Sequence, residues 1–381
     1  MSKWSEKYVI GLTGNIATGK SVVRKMLEHL GAYGIDADAL AHRAIAKGAP
    51  GYRPVIETFG KWVVAQDGEI DRSRLARVVF ADPQALTQLE SIIHPLVEQA
   101  IGILVQRAPQ RVIVIEAIKL LEANLNKSCD SIWVTYAPPE IQMTRLIQGR
   151  KMSESEARQR IAAQPSQEAK LAAANIVIRN TSSFTETWKL VNTAWQRSVP
   201  AEVEAIPVTP MPSKVRPEGE MTVLRGRPRH STEIAELLNR ILKPRPLLNQ
   251  ENVMAAFGEK AFFLLQVGSR SFGLVGWQVE NLVSRATDVV LDPQISPAQA
   301  LPALLNEMER ASKDLQCEAA LVFVKPDLVN VDNIWSNLGY EQLEPDRLEV
   351  RAWQEAARES MPADTIMFFK KLRQDRILRP I

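Results

Sequence analysis

Cysteine is scarce in this chain: 381 residues contain two, Cys129 and Cys317, far apart in sequence. That excludes a disulfide framework and any cysteine spacing suited to a metal, and it fits a reducing compartment. Long apolar runs are missing as well, and none approaches membrane-spanning length. The opening segment Met1-Ser2-Lys3-Trp4-Ser5-Glu6-Lys7 has no apolar core of a secretory signal. A cytoplasmic, soluble protein with no membrane contact is therefore expected. An excess of one charge is also lacking, since 47 Lys and Arg stand against 44 Asp and Glu, a net of +3. So small a balance gives no support to nucleic acid as a partner. Much of it is local, in Lys214, Arg216, Arg225, Arg227 and Arg229 against Glu218 and Glu220, a stretch that reads as a solvated linker. The remaining composition, 45% hydrophobic and 24% charged, is that of ordinary globular protein, and the length suggests two or three domains.

What the chain does carry is Gly14-Asn15-Ile16-Ala17-Thr18-Gly19-Lys20-Ser21, a phosphate-binding loop of the form G-x-x-x-x-G-K-[ST]. It follows the apolar run Tyr8–Leu12, a short buried strand, and precedes an amphipathic helix beginning near Val22. The glycines let the backbone curl so that several N–H groups point inward, and the helix aims its positive end at the same spot. Lys20 supplies a mobile charge for the β- and γ-phosphates. The Ser21 hydroxyl suits Mg²⁺.

The first half alternates strands and helices. Strands are expected at Tyr8–Leu12, Tyr33–Ile35, Arg111–Ile115, Ser131–Tyr136 and Asn175–Ile178, which implies a parallel sheet covered by helices on both faces. Residues 39–106 read as an inserted helical lobe, broken at Pro50-Gly51, Asp67-Gly68 and Asp82-Pro83. Residues 200–219 hold five prolines, Pro200, Pro207, Pro210, Pro212 and Pro217, and read as an extended linker. A second domain begins near Met221. Its expected elements are a helix near 231–241, strands near 262–267, 274–279 and 289–291, a helix at 301–315 and a buried strand at 319–324.

The second strand ends in Asp36-Ala37-Asp38. Ligands of parallel α/β sheets sit beyond the C-terminal strand ends, and residues two apart on an extended chain face one way. If the second strand lies beside the first, both carboxylates converge on the phosphate loop. One then accepts the proton of an acceptor hydroxyl; the other holds a magnesium-bound water or caps the next helix. Glu116, closing the third strand, is either a magnesium-associated carboxylate or a surface charge. After the fourth strand, Arg145 and Arg150 suit phosphate contact from a closing lid at about 145–165. Ser153-Glu154-Ser155-Glu156 has capping-box spacing, and Arg158 and Arg160 read as an exposed helix face. His94-Pro95 falls at an expected helix break.

Together these residues resemble the dephospho-CoA kinase family over about residues 8–200. The likeness rests on Ile10 to Ser21, on Ile35-Asp36-Ala37-Asp38, on Gly48-Ala49-Pro50-Gly51 and on Ile93-His94-Pro95-Leu96. It continues in Arg160-Ile161-Ala162-Ala163-Gln164 and in Asn175 to Asn180. The resemblance implies an α/β P-loop kinase with a five-stranded parallel sheet, a helical CoA lobe and a lid. The implied reaction moves the γ-phosphoryl group of ATP to the ribose 3′-hydroxyl of dephospho-CoA with Mg²⁺. It implies Asp38 as base with Lys20 as catalytic partner. ATP binding falls to Gly14, Asn15, Ile16, Ala17, Thr18, Gly19, Lys20, Ser21, Val22, Arg150 and Asn180. Substrate binding falls to Thr13, Asp36, His94 and Arg145, and magnesium to Ser21 and Glu116. Two segments depart from the family pattern: Lys119-Leu120-Leu121-Glu122-Ala123 stands for Pro-Leu-Leu-Phe-Glu, and Gly149 occupies the usual place of a lid arginine. Another small-molecule P-loop kinase and a nucleotide-binding regulator without turnover stay open as alternatives.

Residues 221–381 resemble the GNAT family of N-acetyltransferases, an α+β fold, in the helix after Met221, in the strands around 262–279 and in Asn333 to Glu341. The stretch Leu291 to Ala300 lacks the glycine loop that holds acyl-CoA diphosphate in that family. The expected organisation is a kinase domain at 1–200, a linker at 201–220 and this second domain. Its open roles are dimerisation (a homo-oligomer), sensing of CoA or acyl-CoA, and acyl transfer.

Overall fold

The computed structural model describes residues 4, 6–150, 152–164, 166–200, 221–268, 270–331 and 333–373, without the side chains of Phe80 and Arg150. The expected linker at 201–220 lies outside the described residues. Grouped by contacts, the chain forms two units. Among the described residues, the first holds the chain up to Lys20 with Tyr33–Asn180, and the second holds Ser21–Ala32 with residues 181–373.

The first unit is built on five parallel strands: β1 (Tyr8–Thr13), β2 (Tyr33–Asp36), β3 (Val112–Glu116), β4 (Ser131–Tyr136) and β5 (Ile176–Arg179). Val9, Ile10 and Leu12 of β1, and all of β3, are buried, as continuous apolar strands of a two-faced parallel sheet must be. The sheet order is β2-β3-β1-β4-β5. Here the structure corrects one expectation. β2 pairs with β3, Asp36 opposite Glu116, and β3 separates it from β1.

Helix α1 (Lys20–His29) leaves the phosphate loop, and α2 (Ala37–Ala44) follows β2 directly. The lobe continues as α3 (Tyr52–Phe59), α4 (Arg72–Ala81) and α5 (Pro83–Arg107). Val55, Val63, Ile70, Leu75 and Val79 give it a small core of its own. The expected breaks hold at Gly51, which precedes α3, and at Asp82, which accepts from the Gln84 amide and caps α5. His94-Pro95 is a correction, because α5 runs unbroken through Pro95 for 25 residues. Proline removes one helical N–H donor, and the long buried stripe Val97, Ala100, Ile101 and Leu104 holds the helix together beyond it. After β4 come α6 (Pro139–Arg150), α7 (Glu154–Ala162) and α8 (Gln167–Ala172).

The second unit contains α1 from Ser21, α9 (Phe184–Ser198) and a seven-stranded sheet. Its elements are β6 (Met221–Arg225), α10 (Ser231–Leu242), α11 (Gln250–Ala256), β7 (Ala261–Val267), β8 (Arg270–Glu280) and β9 (Val283–Leu291). They continue as α12 (Pro297–Asp314), β10 (Ala319–Val324), α13 (Ile334–Asn337), β11 (Glu341–Gln342), α14 (Arg351–Ser360) and β12 (Ile366–Lys371). The strand order is β11-β12-β10-β9-β8-β7-β6, antiparallel throughout except for β9 beside β10. Alternation along β7 splits its side chains between two cores. Phe262 and Leu264 meet Ile234 and Leu237 of α10 and Val253 of α11; Phe263 and Leu265 join a cluster with Leu301, Leu304 and Met308 of α12. In the same unit, His29 at the end of α1 packs edge-on against Phe257 at 5.2 Å and its Nε2 lies 2.8 Å from the Phe257 carbonyl. Burial drops the His29 imidazole to about 4, with Arg225 adding to the effect. Among the described residues no helix is long and apolar enough to cross a membrane.

Candidate active site

β1 delivers the chain to the phosphate loop at the C-terminal end of a central strand. Gly14 has φ +152° and Gly19 φ +91°, and both are needed as glycine for space as well as for conformation. A Cβ on Gly14 would overlap Thr135 of β4, and one on Gly19 would overlap the Asn180 amide. Thr18 Oγ1 lies 2.8 Å from the Asn15 carbonyl and 2.7 Å from Thr135 Oγ1, and Thr135 Oγ1 donates to the Thr13 carbonyl at 3.3 Å. The loop is thus braced from below by two buried threonines. It is held from the side by Asn180, whose Nδ2 donates to Thr18 O at 3.1 Å, and by Gln164, whose Oε1 accepts from Ile16 N at 2.7 Å. Arg145 spans two segments, donating to Ala17 O at 3.1 Å and to Asn180 O at 2.9 Å.

Two cations and two carboxylates stand around this loop. Lys20 is buried and folds back to the Asn15 carbonyl at 3.3 Å. Lys170 of α8 is buried too and donates to Asn15 Oδ1 at 3.0 Å. Asp38 lies in the first turn of α2, and its Oδ2 accepts from the Ile118 amide at 3.1 Å. Burial pushes the Asp38 carboxyl above its ordinary range and Glu116 adds to the push, while the Ile118 amide, Lys20 and Lys170 draw it back. Glu116 is buried at the end of β3, so it is no surface charge.

The carboxylate pair does not arise as strand alternation suggested. The strand stops at Asp36, whose Oδ1 accepts from Ala39 N at 2.9 Å and caps α2; Asp38 is already helical. The capping role thus belongs to Asp36, and Asp38 alone is turned to the segment after β3. Thr13 is buried and donates to Ile118 O at 3.2 Å, which ties it to that same segment. His94 sits half-buried within α5. The side chain of Arg150 lies outside the described residues. Arg158 and Arg160 are exposed and pair with Glu154 and Glu156 one turn earlier, as an exposed face should. Ser21 and Val22 open α1 beyond Lys20. Sequence reasoning missed Lys170, Thr135 and Gln164. Gln164 lay within a recognised motif, whereas nothing local marked Lys170 or Thr135.

Among the described residues no three His, Cys, Asp or Glu side chains cluster as a ready-made metal cage. The buried carboxylate of Glu116 is a hard oxygen donor, and a single such donor fits magnesium carried in on substrate phosphates rather than a resident ion.

A parallel sheet with a phosphate loop on its central strand, a helical lobe after β2 and the carboxylate of Asp38 within the field of Lys20 define a P-loop phosphotransferase. The family model for dephospho-CoA kinase matches residues 8–186. The dephospho-CoA kinase of Moorella thermoacetica is 39% identical over 193 residues, which is 50% of this chain and 91% of that protein. That of Aquifex aeolicus is 40% identical over 188 residues, or 49% of this chain and 95% of that protein. The chain belongs to the dephospho-CoA kinase family. The solved dephospho-CoA kinase of Campylobacter jejuni aligns at 27% identity and TM-score 0.38, covering 50% of this chain and 96% of that one. A GNAT-family acetyltransferase of Staphylococcus aureus aligns at 14% identity and TM-score 0.33, covering 40% of this chain and 100% of that one.

Proposed function

We propose that the N-terminal half of this chain transfers the γ-phosphoryl group of ATP to the ribose 3′-hydroxyl of dephospho-CoA, yielding CoA and ADP. The observation that carries the mechanism is Asp38, a carboxylate held by the Ile118 amide within the field of Lys20. Its raised pKa suits a base that must take a proton from a poorly acidic hydroxyl as the phosphorus–oxygen bond forms. Lys20, with the inward N–H groups of residues 14–22, would hold the phosphates and offset charge on the departing ADP oxygen. Arg145 and Asn180 would keep that loop in its binding shape, and Arg150 would reach the nucleotide from the lid. Thr13, Asp36 and His94 would line the acceptor side. Ser21 and Glu116 would hold Mg²⁺, which when bound neutralises phosphate charge.

We also propose domain limits of 1–200 and 221–381 with a linker between them, and a cytoplasmic location. The second domain is proposed not to transfer acyl groups. Its turn after β9 uses its own amides: Asp292 N donates to Phe272 O at 2.7 Å, Gln294 N to Asp292 Oδ1 at 3.0 Å and Ile295 N to Asp292 O at 3.0 Å. Amides so engaged cannot cradle a diphosphate. Dimerisation, or sensing of CoA through contacts other than this turn, remains as its role.

The deciding assay measures ADP release by the full chain with ATP and Mg²⁺, with dephospho-CoA, adenosine or nucleoside monophosphates as acceptors. Turnover confined to dephospho-CoA supports the proposal. Turnover with a nucleoside instead would make the chain a different small-molecule kinase. ATP binding without any acceptor-dependent turnover would make it a regulator.

A further inference from the structure

Lys170 is 1% exposed, and its ammonium makes one hydrogen bond among the described residues, to Asn15 Oδ1 at 3.0 Å. An ammonium carries three donors, so two N–H groups are unmatched inside the protein. No carboxylate forms an ion pair with it among the described residues, although Glu122 and Asp38 lie within its electrostatic reach and Lys20 opposes it. Burial pulls the Lys170 amine below the ordinary lysine range.

A buried charge with a single neutral partner is an expensive way to tie a helix to a loop. Glutamine or asparagine would hold Asn15 as well, with no charge to strip of water. The arrangement makes sense if an anion arrives to complete the shell. The surroundings say which anion. Asn15 is the second residue of the phosphate loop, and Lys20 reaches the same residue from the opposite side of the sequence. Asp38, whose field Lys170 shares, is the proposed base and therefore stands where acceptor hydroxyl and γ-phosphorus meet.

We propose that Lys170 is a second catalytic cation, which binds the equatorial oxygens of the transferring γ-phosphoryl group from the acceptor side. This rests on the kinase reading above. In the step itself the acceptor oxygen forms its bond to γ-phosphorus and passes its proton to Asp38, and the bridging oxygen leaves on ADP. The two remaining N–H groups of Lys170 donate to non-bridging oxygens of the γ-phosphoryl group, which keep their bonds to phosphorus throughout. It carries no proton across and needs none returned. Lys20 then serves the leaving end and Lys170 the arriving group, which explains why α8 must carry a charge into a dry site.

The test uses the full chain with Lys170→Gln, which keeps an N–H donor for Asn15 but loses the charge, and Lys170→Arg, which keeps the charge. Affinities for ATP and ADP are measured by calorimetry, alongside kcat, KM for dephospho-CoA and the melting temperature. For Lys170→Gln we expect kcat to fall about 100-fold or more, as when one transition-state donor is removed, with little change in KM for dephospho-CoA. ATP affinity should weaken about tenfold with ADP affinity nearly unchanged, because only ATP brings the γ-phosphate. Lys170→Arg should recover much of both. Equal losses for ATP and ADP, a lowered melting temperature that Arg does not restore, or wild-type kinetics in Lys170→Gln would overturn the proposal and leave a structural tether. If the wild-type chain itself fails to turn over dephospho-CoA, the kinase reading falls, and the ATP-against-ADP comparison still decides whether Lys170 meets a γ-phosphate.

Discussion

Asp38 and Ile118 are joined by a hydrogen bond of 3.1 Å from the Ile118 amide to the Asp38 carboxylate, across 80 positions of sequence. The contact fixes a helix of the lobe to the turn after β3 through Oδ2, and the other carboxylate oxygen is the one proposed to take the proton. Asp38→Asn can retain the bond through its amide oxygen and so keeps the geometry while losing the base. Turnover should fall by about 10²–10⁴, the usual worth of a positioned base, with ATP affinity nearly intact. A coupled ADP-release assay beside calorimetry checks both, and unchanged turnover removes Asp38 from proton transfer.

The acid limb of the pH–rate profile should report the same group. Asp38 must be ionised to accept a proton, and burial raises its pKa above the ordinary value near 3.8. Activity should therefore be lost as pH falls through that raised value, about tenfold per unit below it, and be full above it. Measuring kcat/KM from pH 4 to 8 in wild type places the limb. A limb at or below the ordinary carboxylate value would argue against a buried base.

Gly19 combines a left-handed backbone with contact to the Asn180 amide. Gly19→Ala should strain the loop by about 1–3 kcal/mol and displace Asn180, which donates to Thr18 O. ATP affinity should drop about tenfold or more on that scale. Asn180→Ala relieves the crowding but not the backbone, so the double variant should recover only part of the loss. Full recovery would mean that space alone requires glycine here.

The second unit should show its own pH dependence through His29, which burial holds at about 4 against an ordinary 6.5. A histidine kept neutral by the fold contributes fully above 6.5, and its contribution is lost as pH falls toward about 4. The full loss is about 3 kcal/mol at most. Urea unfolding of wild type and His29→Gln at pH 7 and at pH 4.5 tests the sign. The wild type should lose more of its midpoint than the variant, and an equal loss would show that His29 is not the titrating group.

The phosphate loop, all five strands of the first sheet and the lobe were legible because each rests on local pattern: an apolar run, a glycine spacing, a capping aspartate. Asp36 and Asp38 were found together but given the wrong geometry. Alternation holds only while the strand lasts, and the cap at Asp36 ends it. His94-Pro95 misled for a similar reason, since proline signals a break that packing along α5 overrides. Lys170 was invisible in principle. Its meaning comes from Asn15, 155 residues away, and no pattern within α8 distinguishes it from a solvated lysine.

The placement of β3 between β1 and β2 has a consequence for how the chain is made. Tyr8 of β1 is paired with Val112, and Ile10 with both Val114 and Ser131. Both neighbours of β1 are thus synthesised after the entire helical lobe. On the ribosome β1 emerges with no strand to pair with, and its apolar residues must wait for β3 and β4. The lobe, with a small core of its own, is the part equipped to form during that interval. Nucleotide binding should therefore appear late on the nascent chain, only once residues through about β4 have left the exit tunnel.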